Sequence, residues 1–212
     1  MNPASLTSPS SLTDLASLTS PAALNAESRS RQGATARSSS VTAGLQEREI
    51  AALARIQSLT SSPGVQRGAV ILSHLGEHAL TWIALGLVGA ASDPARRRPW
   101  LRAASTVAGA HGLSIVVKRV VRRHRPSDPR IRVLVDTPGD LSFPSSHAAS
   151  TTAAAVAYSR LLGRRYPLVA IPVMMTSRVV LGVHYPSDVL AGSLLGAAMG
   201  HWFTRPRNTP PA

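Results

Sequence analysis

The sequence predicts an all-α fold: a polytopic membrane bundle of about five transmembrane helices, preceded by an amphipathic helix and a polar tail. Three observations carry this. The composition changes near Gln46, from a Ser/Thr/Ala/Pro-rich stretch to a strongly apolar remainder. Beyond Gly68, several apolar windows approach the roughly 20 residues that cross a bilayer. The basic side chains gather in short clusters between those windows. The 212 residues suit one domain, and the absence of cysteine excludes disulfides and thiolate metal sites. A net charge of +13 raises nucleic acid as a partner, but aromatics make up only 4% and leave no stacking surface. No nucleic-acid partner is expected.

Residues 1–45 have no sustained apolar period and read as a disordered tail with no export signal. Over 46–60, Ile50, Leu53, Ile56 and Leu59 recur every three residues between charged ones. That pattern suits an amphipathic helix, lying on the membrane surface or packed under the domain, with a marginal helix in solvent as the alternative. A membrane domain then spans 68–204. Its first span, Gly68 to Ala91, contains no Lys or Arg, and Asp93-Pro94 with Arg96–Arg98 ends it. Trp100 to Val121 forms the second span, and the polar interval from Arg122 to Phe143 reads as a functional loop. The third runs from about Ser145 to Leu162 and is rich in alanine. Tyr166 to Val183 and Pro186 to Phe203 are the fourth and fifth. Gly192, Gly196 and Gly200 give the fifth a close-packing face. A short basic tail, 205–212, closes the chain.

Five crossings place the ends of the second and fourth spans, and the starts of the third and fifth, on one membrane face. Three polar runs fall at those places, so the topology gathers them into one pocket. Lys118, the only lysine in the chain, opens the first, with Arg122 and Arg125 following at roughly helical spacing and Arg125-Pro126 ending the helix. Alone, such a run is as well explained by lipid headgroups. Pro144-Ser145-Ser146-His147 reads as a helix start, with a serine cap and free N–H groups that favour an anion. His147 could there protonate a leaving oxygen. The third run is Ser177-Arg178 followed by His184 and Asp188. A carboxylate four residues from His184 can accept its Nδ1–H and leave Nε2 as a nucleophile. A bound phosphate would satisfy the Arg178 guanidinium; a structural Arg–Asp pair is the alternative.

Taken together, Lys-x6-Arg-Pro, Pro-Ser-x-His and Ser-Arg-x5-His-x3-Asp resemble the type 2 phosphatidic acid phosphatase family, whose site is shared with vanadium haloperoxidases. The resemblance spans Lys118 to Asp188. It implies a membrane phosphatase that needs no metal or other cofactor. In that reading His184 forms a phosphohistidine, Asp188 holds it, and His147 serves as acid and then as base. Lys118, Arg125, Arg178, Ser145 and Ser146 fall at phosphate-binding positions. One departure is Ser146, where the family usually has glycine; serine resists positive φ. A second is the count of spans, six being usual, with a surface helix here in place of the first.

His74-Leu75-Gly76-Glu77-His78 puts two histidines on one helical face. It lacks a third zinc ligand, so no metal is expected, and His74, Glu77 and His78 are candidates either for holding a polar headgroup or for hydrogen bonds between helices. The stretches around Gly76–His78, Lys118–Arg125 and His184–Ala191 are similar to a short actinobacterial branch of the family. That likeness implies a polyprenyl-linked phosphate as partner, decaprenylphosphoryl-5-phosphoribose, losing its 5-phosphate in cell-wall precursor synthesis. A polyprenyl diphosphate is the alternative substrate, and a silent scaffold for anionic lipids the alternative of another class. Arginines flank both faces; the long leaderless tail favours a cytoplasmic pocket.

Overall fold

The computed structural model describes residues 43–75 and 79–204. The expected tail therefore lies outside the described residues up to position 42, as does the basic tail from 205. The chain divides after Glu47, and among the described residues the unit Arg48–Ala212 holds every helical position except 43–47. The fold is all-α, as expected. Among the described residues no strand forms, only an isolated bridge between His124 and Leu141.

Helix α1 covers residues 43–59. Its apolar positions follow the period only in part: Ile50 and Leu53 are buried and Ile56 is half-buried, whereas Leu59 at the helix end is exposed. Ile50 and Leu53 join Ile131, Ala148, Val179, Tyr185 and Val189 in one apolar cluster. Of the readings of this segment, packing against the domain is the one these contacts match. Burial of such a face, rather than propensity, stabilises a helix this short.

The stretch read as one first span is two helices, α2 (Pro63–Leu75) and α3 (Leu80–Ser92). Ala79 takes a left-handed conformation at φ 61° just before α3. The polar sequence from Ser73 onward interrupts the apolar run and gives the break its place. Helix α4 (Arg97–Val121) ends four residues earlier than predicted, with Arg122 left-handed at φ 54° and its N–H on the Lys118 carbonyl. Helix α5 runs Ser146–Leu162, capped by Ser145 and closed by Gly163 at φ 63°. The predicted fourth span is a 3-10 turn, Tyr166–Val169, and a short α6, Ala170–Val180. Helix α7 (Pro186–Phe203) begins with its proline in the first turn, where no N–H is needed.

Helix α7 packs on α5, with α4 against both and α3 against α4; α2 packs on α6. The glycine ladder explains the closest pair. A Cβ at Gly192 or Gly196 would run into the carbonyl oxygens of Ser145 or Ala149, and one at Gly200 into Val156. Trp100, Val107 and Tyr158 fill a second core, where the Tyr158 hydroxyl donates to the Trp82 carbonyl at 2.5 Å.

Among the described residues no helix is both long and apolar enough to cross a membrane. The physical reasons are local. Helix α4 carries arginines at its start and Lys118 and Arg119 at its end, α5 is alanine and hydroxyl rich, and the first and fourth windows are broken.

Candidate active site

Six chain segments converge on one cavity of about 590 Å³. The end of α4 brings Lys118, the start of α5 brings Ser146 and His147, the end of α6 brings Arg178, and the turn before α7 brings His184. The loop after α4 contributes Arg125. Helix α2 closes one side with Ser73 and His74. Each of the three runs thus supplies residues to one cavity: Lys118 and Arg125, Ser146 and His147, and Arg178 and His184.

His184 is buried. The Arg125 guanidinium lies 3.4 Å from Nε2 and donates another bond to the Val183 carbonyl at 2.7 Å. A guanidinium can only donate, so Nε2 presents its lone pair and the ring proton belongs on Nδ1. Burial, then the charges of Arg125, Arg178 and Lys118, push the His184 imidazole well below its ordinary value. The ring is therefore neutral at pH 7, with its basic nitrogen facing the cations.

Asp188 is the neighbour expected to hold it, yet Asp188 Oδ2 lies 3.7 Å from Nδ1, longer than a hydrogen bond. The carboxylate is committed elsewhere. Oδ2 accepts the Tyr185 N–H at 2.8 Å, and Oδ1 accepts from Arg123 at 2.9 Å. Arg123 also donates to Ser187 Oγ at 2.6 Å, pairs with Glu49, and lies 4.0 Å from the Tyr185 ring centroid. The sequence reading passed over both Arg123 and Glu49. Extending α4 through Arg125 gave weight to Arg122; because α4 stops at Val121, it is Arg123 that turns inward.

The cations are held by backbone and hydroxyl groups. Lys118 Nζ donates to the carbonyls of Leu141, Ser142 and Pro144 at 3.2, 3.0 and 2.8 Å. Arg125 Nε donates to the Gly139 carbonyl at 2.8 Å. Arg178, 2% exposed, donates to Ser73 Oγ at 2.7 Å, while its Nε has no partner among the described residues. His147 Nε2 lies 3.2 Å from the Ser73 carbonyl; a carbonyl only accepts, so this nitrogen carries a proton. Ser73 thus touches both Arg178 and His147. Nothing in its sequence context marked it, since it was read as part of an apolar span.

Ser145 is buried and its hydroxyl caps its own helix, accepting from Ala148 N–H at 3.4 Å; it does not line the cavity. Ser146 does, and its hydroxyl is held at 2.8 Å by Ser114. Ser146 is the first residue of α5 and has no positive φ, so serine is accommodated where flexibility was the concern. His74 is on the cavity wall; Glu77 and His78 lie outside the described residues. No set of three metal-ligating side chains occurs among the described residues.

Two families of comparison bear on this geometry. A decaprenylphosphoryl-5-phosphoribose phosphatase of Mycobacterium tuberculosis is 50% identical over 153 residues, 72% of this chain and 86% of that protein. The phosphatase of the same name from Mycolicibacterium smegmatis is 52% identical over 145 residues, 68% and 81% of the two chains. Among solved structures, a transmembrane PAP2 type phosphatidylglycerolphosphate phosphatase from Bacillus subtilis shares the fold, with a TM-score of 0.65, 23% identity, and 76% and 84% coverage. The model of the PAP2 superfamily matches residues 99–210, which hold every residue of the three runs, and with these relatives it shows that the chain belongs to that superfamily.

Proposed function

We propose that the chain is an integral-membrane lipid phosphatase that removes the 5-phosphate of decaprenylphosphoryl-5-phosphoribose. The relatives that carry that substrate in their names match most of this chain at 50% and 52% identity. The observation that carries the chemistry is the meeting of His184 Nε2 with three cations in one cavity.

In this reading the phosphate oxygens lie among Lys118, Arg125 and Arg178, with the α5 N-terminus at Ser146 beside them. Nε2 of His184 forms the N–P bond as the bond from phosphorus to the sugar 5-oxygen breaks. His147 gives that oxygen its proton, then accepts one from the water that attacks the phosphohistidine. Inorganic phosphate leaves and His184 returns to the neutral ring. Asp188 balances the positive charge that His184 acquires. The charge developing on phosphorus is met by groups already in place, which is where most of the acceleration should arise. His74, with Glu77 and His78, remains the candidate for the headgroup.

Membrane insertion rests on apolar side chains left exposed. Leu85, Leu87 and Val88 on α3, Leu113, Val116 and Val120 on α4, and Leu190, Leu194 and Trp202 on α7 face outward. Apolar surface on that scale needs lipid or a partner, and bundled helices can share a span that none makes alone.

The test is phosphate release by the purified protein in lipid nanodiscs, from polyprenylphosphoryl-5-phosphoribose and from polyprenyl diphosphate side by side. Release from the ribosyl lipid, lost in His184→Ala, is expected. Faster turnover of the diphosphate would move the assignment to carrier recycling. No release from either lipid would overturn the phosphatase reading.

A further inference from the structure

Buried charge outside the phosphate cradle forms a second arrangement. Asp188 is completely buried, and an ionised carboxylate there requires a countercharge and hydrogen bonds. The three cations of the cradle face the cavity. Arg123 does not line it. It approaches Asp188 from the other side, with Nη1 at 2.9 Å from Oδ1 and 2.6 Å from Ser187 Oγ. Its other nitrogen, Nη2, pairs with Glu49, whose second oxygen accepts the Ser187 N–H at 2.9 Å. The Tyr185 ring supports the flat face of the guanidinium.

Glu49 stands on α1, outside the stretch 99–210 that matches the superfamily. Leu53, fully buried one turn further along, fixes α1 against Val189 and Tyr185, so Glu49 has little freedom to swing. The sequence of charges is Glu49, Arg123, Asp188, then the neutral His184. Each of the two terminal guanidinium nitrogens has its own carboxylate, and a planar fork in this setting fixes orientation as well as charge.

We infer that Arg123 is a positioning residue for Asp188, and that α1, through Glu49, sets Arg123 and so completes the active site from outside the superfamily stretch. Resting on the phosphatase reading above, this makes the N-terminal helix part of the catalytic apparatus. Arg123 touches no substrate. It keeps Asp188 ionised and turned towards Nδ1 of His184, so that closing the 3.7 Å gap is a small movement when the ring becomes positive. Glu49 keeps Arg123 from drawing Asp188 off that line.

The test uses the full chain in nanodiscs. Arg123→Gln should lower kcat by about 100-fold, as a misaligned catalytic partner does, with KM little changed because the cradle is untouched. In an Asp188→Asn background the same substitution should cost almost nothing further, the coupling expected of residues acting through one another. Glu49→Gln should give a smaller loss of the same kind, and Arg123→Lys should recover only part. Vanadate binding by each variant reports a folded cradle, and the His184 ¹⁵N resonances report Asp188's hold on the ring. Those resonances should move in Arg123→Gln and Glu49→Gln, and this readout stands even where no lipid is hydrolysed. Wild-type kcat in a folded Arg123→Gln, a loss confined to KM, equal losses in both backgrounds, or unmoved His184 resonances would each overturn the inference. A wild-type protein that hydrolyses neither polyprenyl lipid would instead overturn the phosphatase reading alone.

Discussion

The Arg125 guanidinium sits 3.4 Å from Nε2 of His184, on the same nitrogen that the geometry leaves unprotonated. A cation there opposes protonation of the ring and also waits where a phosphate oxygen would arrive. Removing it should therefore do two things at once. Arg125→Gln should raise the His184 pKa towards the ordinary histidine range, seen in the pH dependence of its ring ¹⁵N shifts, and should weaken vanadate binding. A ring that titrates as before in the variant would show that burial, with Arg178 and Lys118, keeps it neutral without Arg125.

A second prediction concerns pH and stability. His184 is depressed in the fold from an ordinary value of 6.5, first by burial and then by Arg125, Arg178 and Lys118. Below about pH 6.5 the unfolded chain therefore binds a proton that the native ring refuses, and stability falls as pH falls. The contribution is fully present above 6.5, and each pH unit below it removes at most about 1.4 kcal/mol until the native ring titrates. Thermal unfolding in nanodiscs at pH 8, 6.5 and 5 should show Tm dropping over the acid interval, less steeply in His184→Gln. Bound phosphate should restore stability there, since it favours the charged ring.

These arguments depend on side chains whose legibility in the sequence differed. His184, His147, Lys118, Arg125 and Arg178 could be read because residue type and spacing specify phosphate chemistry, and because alternating helices return such runs to one end of a bundle. The glycine ladder of α7 was legible for a similar reason, as four-residue spacing leaves only one face to pack. The breaks within the first and fourth windows were not, because an apolar run does not say where its backbone turns. Arg123 and Ser73 were hidden by the same ambiguity. Which member of an arginine cluster faces inward depends on the residue at which α4 stops, and a serine within an apolar helix has no local sign of its partner. Glu49 finds its partner 74 residues away.

Ser73 offers a third prediction. It accepts from Arg178 through its hydroxyl and from His147 through its carbonyl. Ser73→Ala keeps the carbonyl but leaves a buried guanidinium short of an acceptor, a loss of about 1–3 kcal/mol. The variant should unfold at lower temperature without ligand, and phosphate or vanadate should close most of that gap by supplying the missing oxygens. An equal Tm deficit with and without vanadate would argue that Arg178 does not meet the anion.

The last prediction tests how packing fixes the site. Gly192 faces the carbonyl oxygen of Ser145, and any Cβ there must push α7 away from the start of α5. That displacement falls between Asp188, whose carbonyl accepts the Ser145 N–H at 2.9 Å, and His147 two residues further on. Gly192→Ala should cost about 1–3 kcal/mol, the usual range for overpacking a tight contact, and should lower kcat more than stability alone explains. Gly68, with open space at its Cβ position in α2, is the comparison. Gly68→Ala should be neutral or stabilise the helix by up to about 1 kcal/mol, with turnover unchanged. Tm and phosphate release measured on both variants decide the matter: full turnover in Gly192→Ala would mean that the α5–α7 contact does not hold the two histidines in register.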